Sequence, residues 1–273
     1  MARRWCLPLM ILAVVAGPTL AAGAASASSL SARRASPAAA HQVRPGNPLI
    51  GPVGAAVPRA RGDRLSRRVI SANWSGYAAT GDHGAYRSVS ARWAEPTARC
   101  GGGAAKYAAF WVGLDGYSSH SVEQVGTDSD CHGKTARYYG WYEMFPAAPV
   151  KFGSKVRPGY KLSASVRFSG ARTYTLVLRD RTRGWKHAIT RKEAGLDRSS
   201  AEVITEAPSS ESGVVPLADF GTVRFTVARA NGTLLRRHSP TKIVMVDNRG
   251  LQQDFTSALS SAGAFRTTWL RSS

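Results

Sequence analysis

A chain of 273 residues that is 43% hydrophobic and 20% charged is globular rather than disordered, and long enough for one large β domain or two small ones. The net charge is +20; ten arginines against the single acid Asp63 put +9 of it before Val69, and 27 − 16 = +11 falls in the rest. So basic a balance invites a nucleic-acid reading. No nucleic-acid motif accompanies the charge, so it reads as a solvated, arginine-rich face with no nucleic-acid partner.

Residues 1–27 read as an export signal. Arg3 and Arg4 precede a short apolar run, Leu7–Leu20, broken by Pro18, and Ala25-Ser26-Ala27 is an A-x-A cleavage site. The run is too short and interrupted to anchor the chain in a bilayer. The expectation is a secreted, extracellular protein that leaves the membrane after signal cleavage. Residues 28–68 are rich in Ala, Ser, Pro and Arg and cannot bury a core, so they read as a disordered basic propeptide or linker ending near Arg68.

From Val69 to the end the pattern is strands and turns. YRSVSARW (86–93), KLSASVRFS (161–169) and TYTLVLRD (173–180) alternate apolar and polar, while KYAAFWVGL (106–114) is nearly continuously apolar. ARYYGWYEMF (136–145) and SAEVITEAP (200–208) are further strands, and Asn231-Gly232 marks a hairpin. DFTSALSSA (254–262) suggests one short helical turn. Many short strands with Gly and Pro turns predict a β-sandwich or barrel over 69–273. Cys6 lies in the leader, leaving Cys100 and Cys131 as an even pair, which in an exported protein predicts one disulfide.

The stretch Trp111–Asp128 reads as two strands joined by a polar loop, with an aromatic, an amide and two carboxylates where core packing would place Val, Ile and Leu. In 136–145, Tyr139, Trp141, Glu143 and Phe145 share a face; in 200–208, Glu202, Ile204 and Glu206 do. A carboxylate in an aromatic row suits a binding groove. There is no G-x-S-x-G elbow and no histidine pair at metal-ligand spacing, so neither a serine nor a metal mechanism is expected, and no cofactor. Spacing alone does not choose between Glu202 and Glu206. Asn73-Trp-Ser and Asn231-Gly-Thr are glycosylation sequons by pattern.

Five segments in order resemble the glutamic peptidases of the eqolisin family: Asn73-Trp-Ser-Gly76, Trp111-Val-Gly-Leu-Asp-Gly116, Glu123-Gln-Val-Gly-Thr-Asp128, Trp141-Tyr-Glu-Met-Phe-Pro146 and Ala201-Glu-Val-Ile-Thr-Glu206. That family is known mainly from fungi, and the composition here suggests a bacterial-type member. The resemblance implies an all-β sandwich of two curved antiparallel sheets, a concanavalin-like or lectin-like jelly roll, with a catalytic dyad of Gln124 and Glu206. It places Trp74, Trp111, Asp115, Asp128, Trp141 and Glu143 where the family lines or supports its cleft. It implies protein or peptide substrates, hydrolysis at acid pH, and a monomer. The chain departs from the family's usual acidity in its basic body, in Ala207-Pro208 after Glu206, and in a cysteine pair that the family does not supply. Two other readings of the same residues are a carbohydrate-binding sandwich, with Tyr139, Trp141 and Trp111 stacking on sugars, and a glycoside hydrolase using two carboxylates.

Overall fold

The computed structural model describes residues 68–210 and 213–272. The export signal and all of the propeptide except Arg68 lie outside the described residues. Two eight-stranded sheets form the fold. The first runs in the order Arg68–Ser71, Thr241–Met245, Trp74–Thr80, Ser200–Glu206, Ala109–Leu114, Val122–His132, Thr135–Phe145, Val150–Lys155. The second runs Lys186–Lys192, Thr173–Asp180, Lys161–Gly170, Ser88–Ala94, Thr222–Ala230, Phe265–Trp269, Asp254–Thr256, with Thr233–Leu234 beside Thr222–Ala230.

The residue pattern explains which faces are covered. Strands of the second sheet alternate buried and open residues, so one face packs and one meets solvent. Strands 109–114 and 200–206 are buried on both faces; that accounts for the unbroken apolar run of the first, while the second buries Ser200, Glu202, Thr205 and Glu206 along with its apolar residues. The core between the sheets joins Phe110, Val112 and Leu114 to Trp93, Leu162, Leu176, Leu178 and Phe225. Tyr77 meets Phe265 edge-on across it at 4.9 Å, and Trp93 donates its indole N–H to Thr127 Oγ1 at 3.1 Å. A second, smaller cluster lies on the other face of the first sheet, around Trp74, Trp111, Trp141, Ile204 and Ile243.

The expected sandwich is present with one exception to its antiparallel pairing, and one expectation is corrected. Neighbouring strands are antiparallel except at one edge, where Arg68–Ser71 runs parallel to Thr241–Met245. No hairpin links segments so distant in sequence, so nothing local imposes the antiparallel sense. Arg68, read as the end of the propeptide, opens this strand. The helical turn expected over 254–262 is absent; Asp254–Thr256 is a strand paired with Phe265–Trp269, burying Asp254 and Thr256 on one side. The hairpin at Asn231-Gly232 is present, joining Thr222–Ala230 to Thr233–Leu234.

The cysteines form the Cys100–Cys131 disulfide. Cys131 also exchanges two backbone hydrogen bonds with Lys106, so the link fixes the root of the segment carrying Trp111 and Gln124. Closing a loop of 31 residues corresponds to roughly 3–4 kcal/mol of chain entropy. A Cys100→Ser/Cys131→Ser variant is expected to melt roughly 10 °C lower by calorimetry; an unchanged melting temperature contradicts this.

Acids and bases partition sharply. Of the sixteen acids after Val69, eleven are buried, whereas Lys242 is the one buried Lys or Arg among the described residues. Burial pushes Glu95 up to about 8, against hydrogen bonds from Thr127 and Ser129 that favour its ionised form. Burial likewise pushes Asp254 up to about 7, partly offset by its bond from Ser75. Glu123 and Glu202 are raised for the same reason, with neighbouring carboxylates adding to it. A carboxyl that is raised on folding holds its proton longer in the native state than in the unfolded chain. Its stabilisation is complete below the unfolded value near 4.5 and is lost as pH rises towards the folded value. Melting temperature is therefore expected to fall between pH 5 and pH 8, and Glu95→Gln to flatten the fall. A melting temperature that rises over that window contradicts the assignment.

Candidate active site

Five adjacent strands of the first sheet stack the predicted side chains in rows on the face away from the core. One row reads Trp74, Glu206, Ala109, Asp128, Tyr139. The next reads Gly76, Ile204, Trp111, Gly126, Trp141, and the third Ala78, Glu202, Gly113, Gln124, Glu143. Period-two alternation puts each set on one face; strand pairing aligns the sets. Gln124 and Glu206 thus share a face, two strands apart and four residues out of step, or about 16 Å between Cα atoms on a flat sheet. Trp111 occupies the midpoint of that diagonal.

Each head group is held. Trp111 donates its indole N–H to Glu206 Oε2 at 2.8 Å, and Asn73 Nδ2 approaches Oε1 at 3.4 Å. Trp74 packs edge-on against Trp111, centroids 4.8 Å apart. Gln124 donates from Nε2 to Glu143 Oε2 at 2.7 Å. That bond uses one of its two amide hydrogens and fixes which end is oxygen. Gln124 Oε1 is buried with no hydrogen-bond partner among the described residues.

Asp128 accepts from Trp141 Nε1 at 2.5 Å and from the Tyr139 hydroxyl at 2.7 Å. The same hydroxyl lies 2.8 Å from Asp130 Oδ2. The two carboxylates converge on one phenol proton, and burial and then the Asp128 charge push Asp130 well above the usual carboxylate range. Burial takes Asp128 to about 6, restrained by Tyr139, Trp141 and Lys151. The Lys151 ammonium stands 3.5 Å from the centre of the Tyr139 ring.

Asp115 has a different place from the others. The strand ends at Leu114, and Asp115 turns away with φ 67°. Its carboxylate accepts from the backbone N–H groups of Arg198 and Ser199 at 2.6 and 2.8 Å. It secures the turn that launches the strand carrying Glu206, while Trp74, Trp111, Asp128, Trp141 and Glu143 gather on the face with Gln124 and Glu206. Asn73 and Tyr139 belong to the same network. Asn73 was legible as the first residue of a matching segment, and Tyr139 as part of the aromatic row. Among the described residues no group of three or more His, Cys, Asp and Glu side chains is placed to hold a metal ion.

This arrangement has relatives. Residues 72–268 match the Peptidase A4 family. Aspergillopepsin-2 of Aspergillus niger is 27% identical over 183 residues, covering 59% of this chain and 64% of its own length. The chain therefore spans a little under two thirds of that curated relative. A crystal structure of scytalido-glutamic peptidase with a peptide-based transition state analog superposes with a TM-score of 0.61 at 25% identity, covering 73% of this chain and 98% of the other. A structure of SCP-B, a member of the eqolisin family, shares the fold with a TM-score of 0.58 at 24% identity, covering 73% of this chain and 98% of the other. The two-sheet sandwich is common to them, and the matched span contains every row of the face described above. By that match, over well more than half its length, the chain belongs to the Peptidase A4 family.

Proposed function

We propose that this chain is a secreted glutamic endopeptidase that hydrolyses peptide bonds at acid pH with Gln124 and Glu206 as its dyad. The observation that carries the reading is Gln124 Oε1, a buried acceptor with no partner among the described residues, on the same face as a carboxylate aligned by Trp111. A buried acceptor calls for a donor, and a water there is what a neighbouring base would activate. Glu206 takes a proton from that water as its oxygen bonds to the substrate carbonyl carbon. The resulting oxyanion accepts the second N–H of Gln124 Nε2. When the intermediate collapses, the C–N bond breaks and Glu206 returns the proton to the leaving amine. Glu143 holds the amide in the donating orientation. Burial, then the Asp115 and Glu123 charges, raise Glu202; the family resemblance assigns the base to Glu206, and Trp111 holds its carboxylate.

The export signal at 1–27, the propeptide at 28–68, the monomeric state and the bacterial-type assignment belong to the same proposal and rest on the residue patterns given above. Against the sugar-binding alternatives, Trp111 and Trp141 are at most 1% exposed, and half-buried Tyr139 has the Lys151 ammonium over its ring, so the three offer no open stacking platform. Gln124, at the centre of the face, has no proton to donate as an acid and no carboxylate for a nucleophile.

Digestion of denatured protein at acid pH is expected to persist in the presence of serine, cysteine and metal-directed inhibitors. Glu206→Gln and Gln124→Ala are each expected to lower kcat/KM about 10²–10³-fold with an unchanged melting profile. Folded variants that keep full activity would remove the dyad. Glu143→Ala is expected to lower kcat about tenfold with little change in KM, because it acts through Gln124. A pure KM effect would make Glu143 a substrate contact instead.

A further inference from the structure

The outer face of the second sheet, on the far side of the sandwich from the dyad, is cationic and lacks acids. A groove of about 520 Å³ crosses it. Arg92, Arg179, Arg181, Lys186 and Arg229 line it, with Ser90, Ser163 and Ser165 between them and no Asp or Glu. Arg92, Ser163, Arg179 and Lys186 form one continuous row across four strands. The alternate residues of these strands, Trp93, Leu162 and Leu178, point into the core.

The row opposes like charges. Arg179 lies directly opposite Lys186, and further along the same sheet Arg224 lies opposite Arg266. Like charges directly across a strand pair destabilise a sheet. Among the described residues none of the five groove cations has a carboxylate partner; the ion pairs found involve His83, Arg99 and Arg249. The sheet thus carries a local electrostatic cost that nothing within it offsets, concentrated where a groove exists to receive a ligand.

We infer that this groove binds a linear anionic polysaccharide, holding the protein to it by one sheet and leaving the face that carries the dyad unengaged. The guanidinium and ammonium groups meet the sulfates or carboxylates, and the serine hydroxyls meet the sugar hydroxyls. No aromatic ring lines the groove to stack on bases. Among the described residues no α-helix occurs to enter a duplex groove. The chemistry therefore favours a sugar polymer over nucleic acid. The inference does not depend on the proposed peptidase reaction, and its test reads binding alone.

The test is titration calorimetry of the full chain with heparin, polygalacturonate, neutral dextran and duplex DNA over a range of salt. Heparin or polygalacturonate is expected to bind, dextran not to bind, and DNA to bind at least tenfold more weakly. Arg92→Glu/Arg179→Glu is expected to weaken polysaccharide binding at least tenfold and to reduce the slope of log K against log salt by about two. Arg236→Glu/Arg237→Glu changes net charge equally on exposed residues outside the groove and is expected to leave affinity within about twofold. Far-ultraviolet circular dichroism confirms that both variants fold; if the groove variant does not, Arg92→Gln/Arg179→Gln replaces it with the same expected direction. Equal losses in the two charge-reversal variants would reduce the effect to net charge and overturn the site. DNA binding as tight as heparin would overturn the choice of ligand.

Discussion

A carboxylate inside a β-sandwich must be hydrogen-bonded, protonated, or expensive, and this protein places most of its acids there. Glu95 takes hydrogen bonds from Ser129 and its neighbours and keeps its proton. Asp115 takes backbone N–H groups. Asp128 takes an indole and a phenol. Each solution ties two distant segments together, so the polar interior helps to fix strand order as well as chemistry. With the acids inside and the arginines outside, an acidic cleft on a basic body is the expected outcome, and the net charge says little about the site.

The geometry of the proposed dyad depends on the same sheet. Strands 109–114 and 122–132 approach closely because Gly126 has no side chain: a Cβ there would stand 2.3 Å from the Phe110 carbonyl oxygen and 2.5 Å from Trp111 Cβ. That absence lets the Trp111 indole lie across the face and reach Glu206. The bond to Glu143 does for Gln124 what Trp111 does for Glu206, so both groups of the proposed dyad are oriented in the free protein. Preorganised groups of this kind need no rearrangement in the transition state.

Much of this was legible in the sequence because a strand's two faces alternate. TYTLVLRD spans the observed strand Thr173–Asp180 residue for residue, and the Glu202–Ile204–Glu206 and Tyr139–Trp141–Glu143 faces lie as their spacing implies. Pairing register is different: it is set by contacts across the fold. That Glu206 aligns with Asp128, and Gln124 with Glu202, cannot be read from either strand alone. Asp115 continues the alternation of Trp111 and Gly113 on paper, yet the strand stops one residue earlier and the backbone turns to positive φ. Asn73 illustrates the same limit. Its contact with Glu206 spans 133 positions, whereas its sequence neighbourhood shows a family-like segment and a sequon but no partner, and a fully buried side chain is no acceptor for a glycan. The parallel edge strand is likewise set by where the chain returns.

The proposed dyad requires one reacting centre between the Gln124 amide and the Glu206 carboxylate. A crystal structure of the protein with a peptide analogue carrying a tetrahedral hydroxyl centre tests this. One analogue oxygen is expected within hydrogen-bond distance of Gln124 Nε2 and another within hydrogen-bond distance of the Glu206 carboxylate, with the Trp111 and Glu143 bonds intact. An analogue whose tetrahedral centre lies against any other pair of side chains would contradict it.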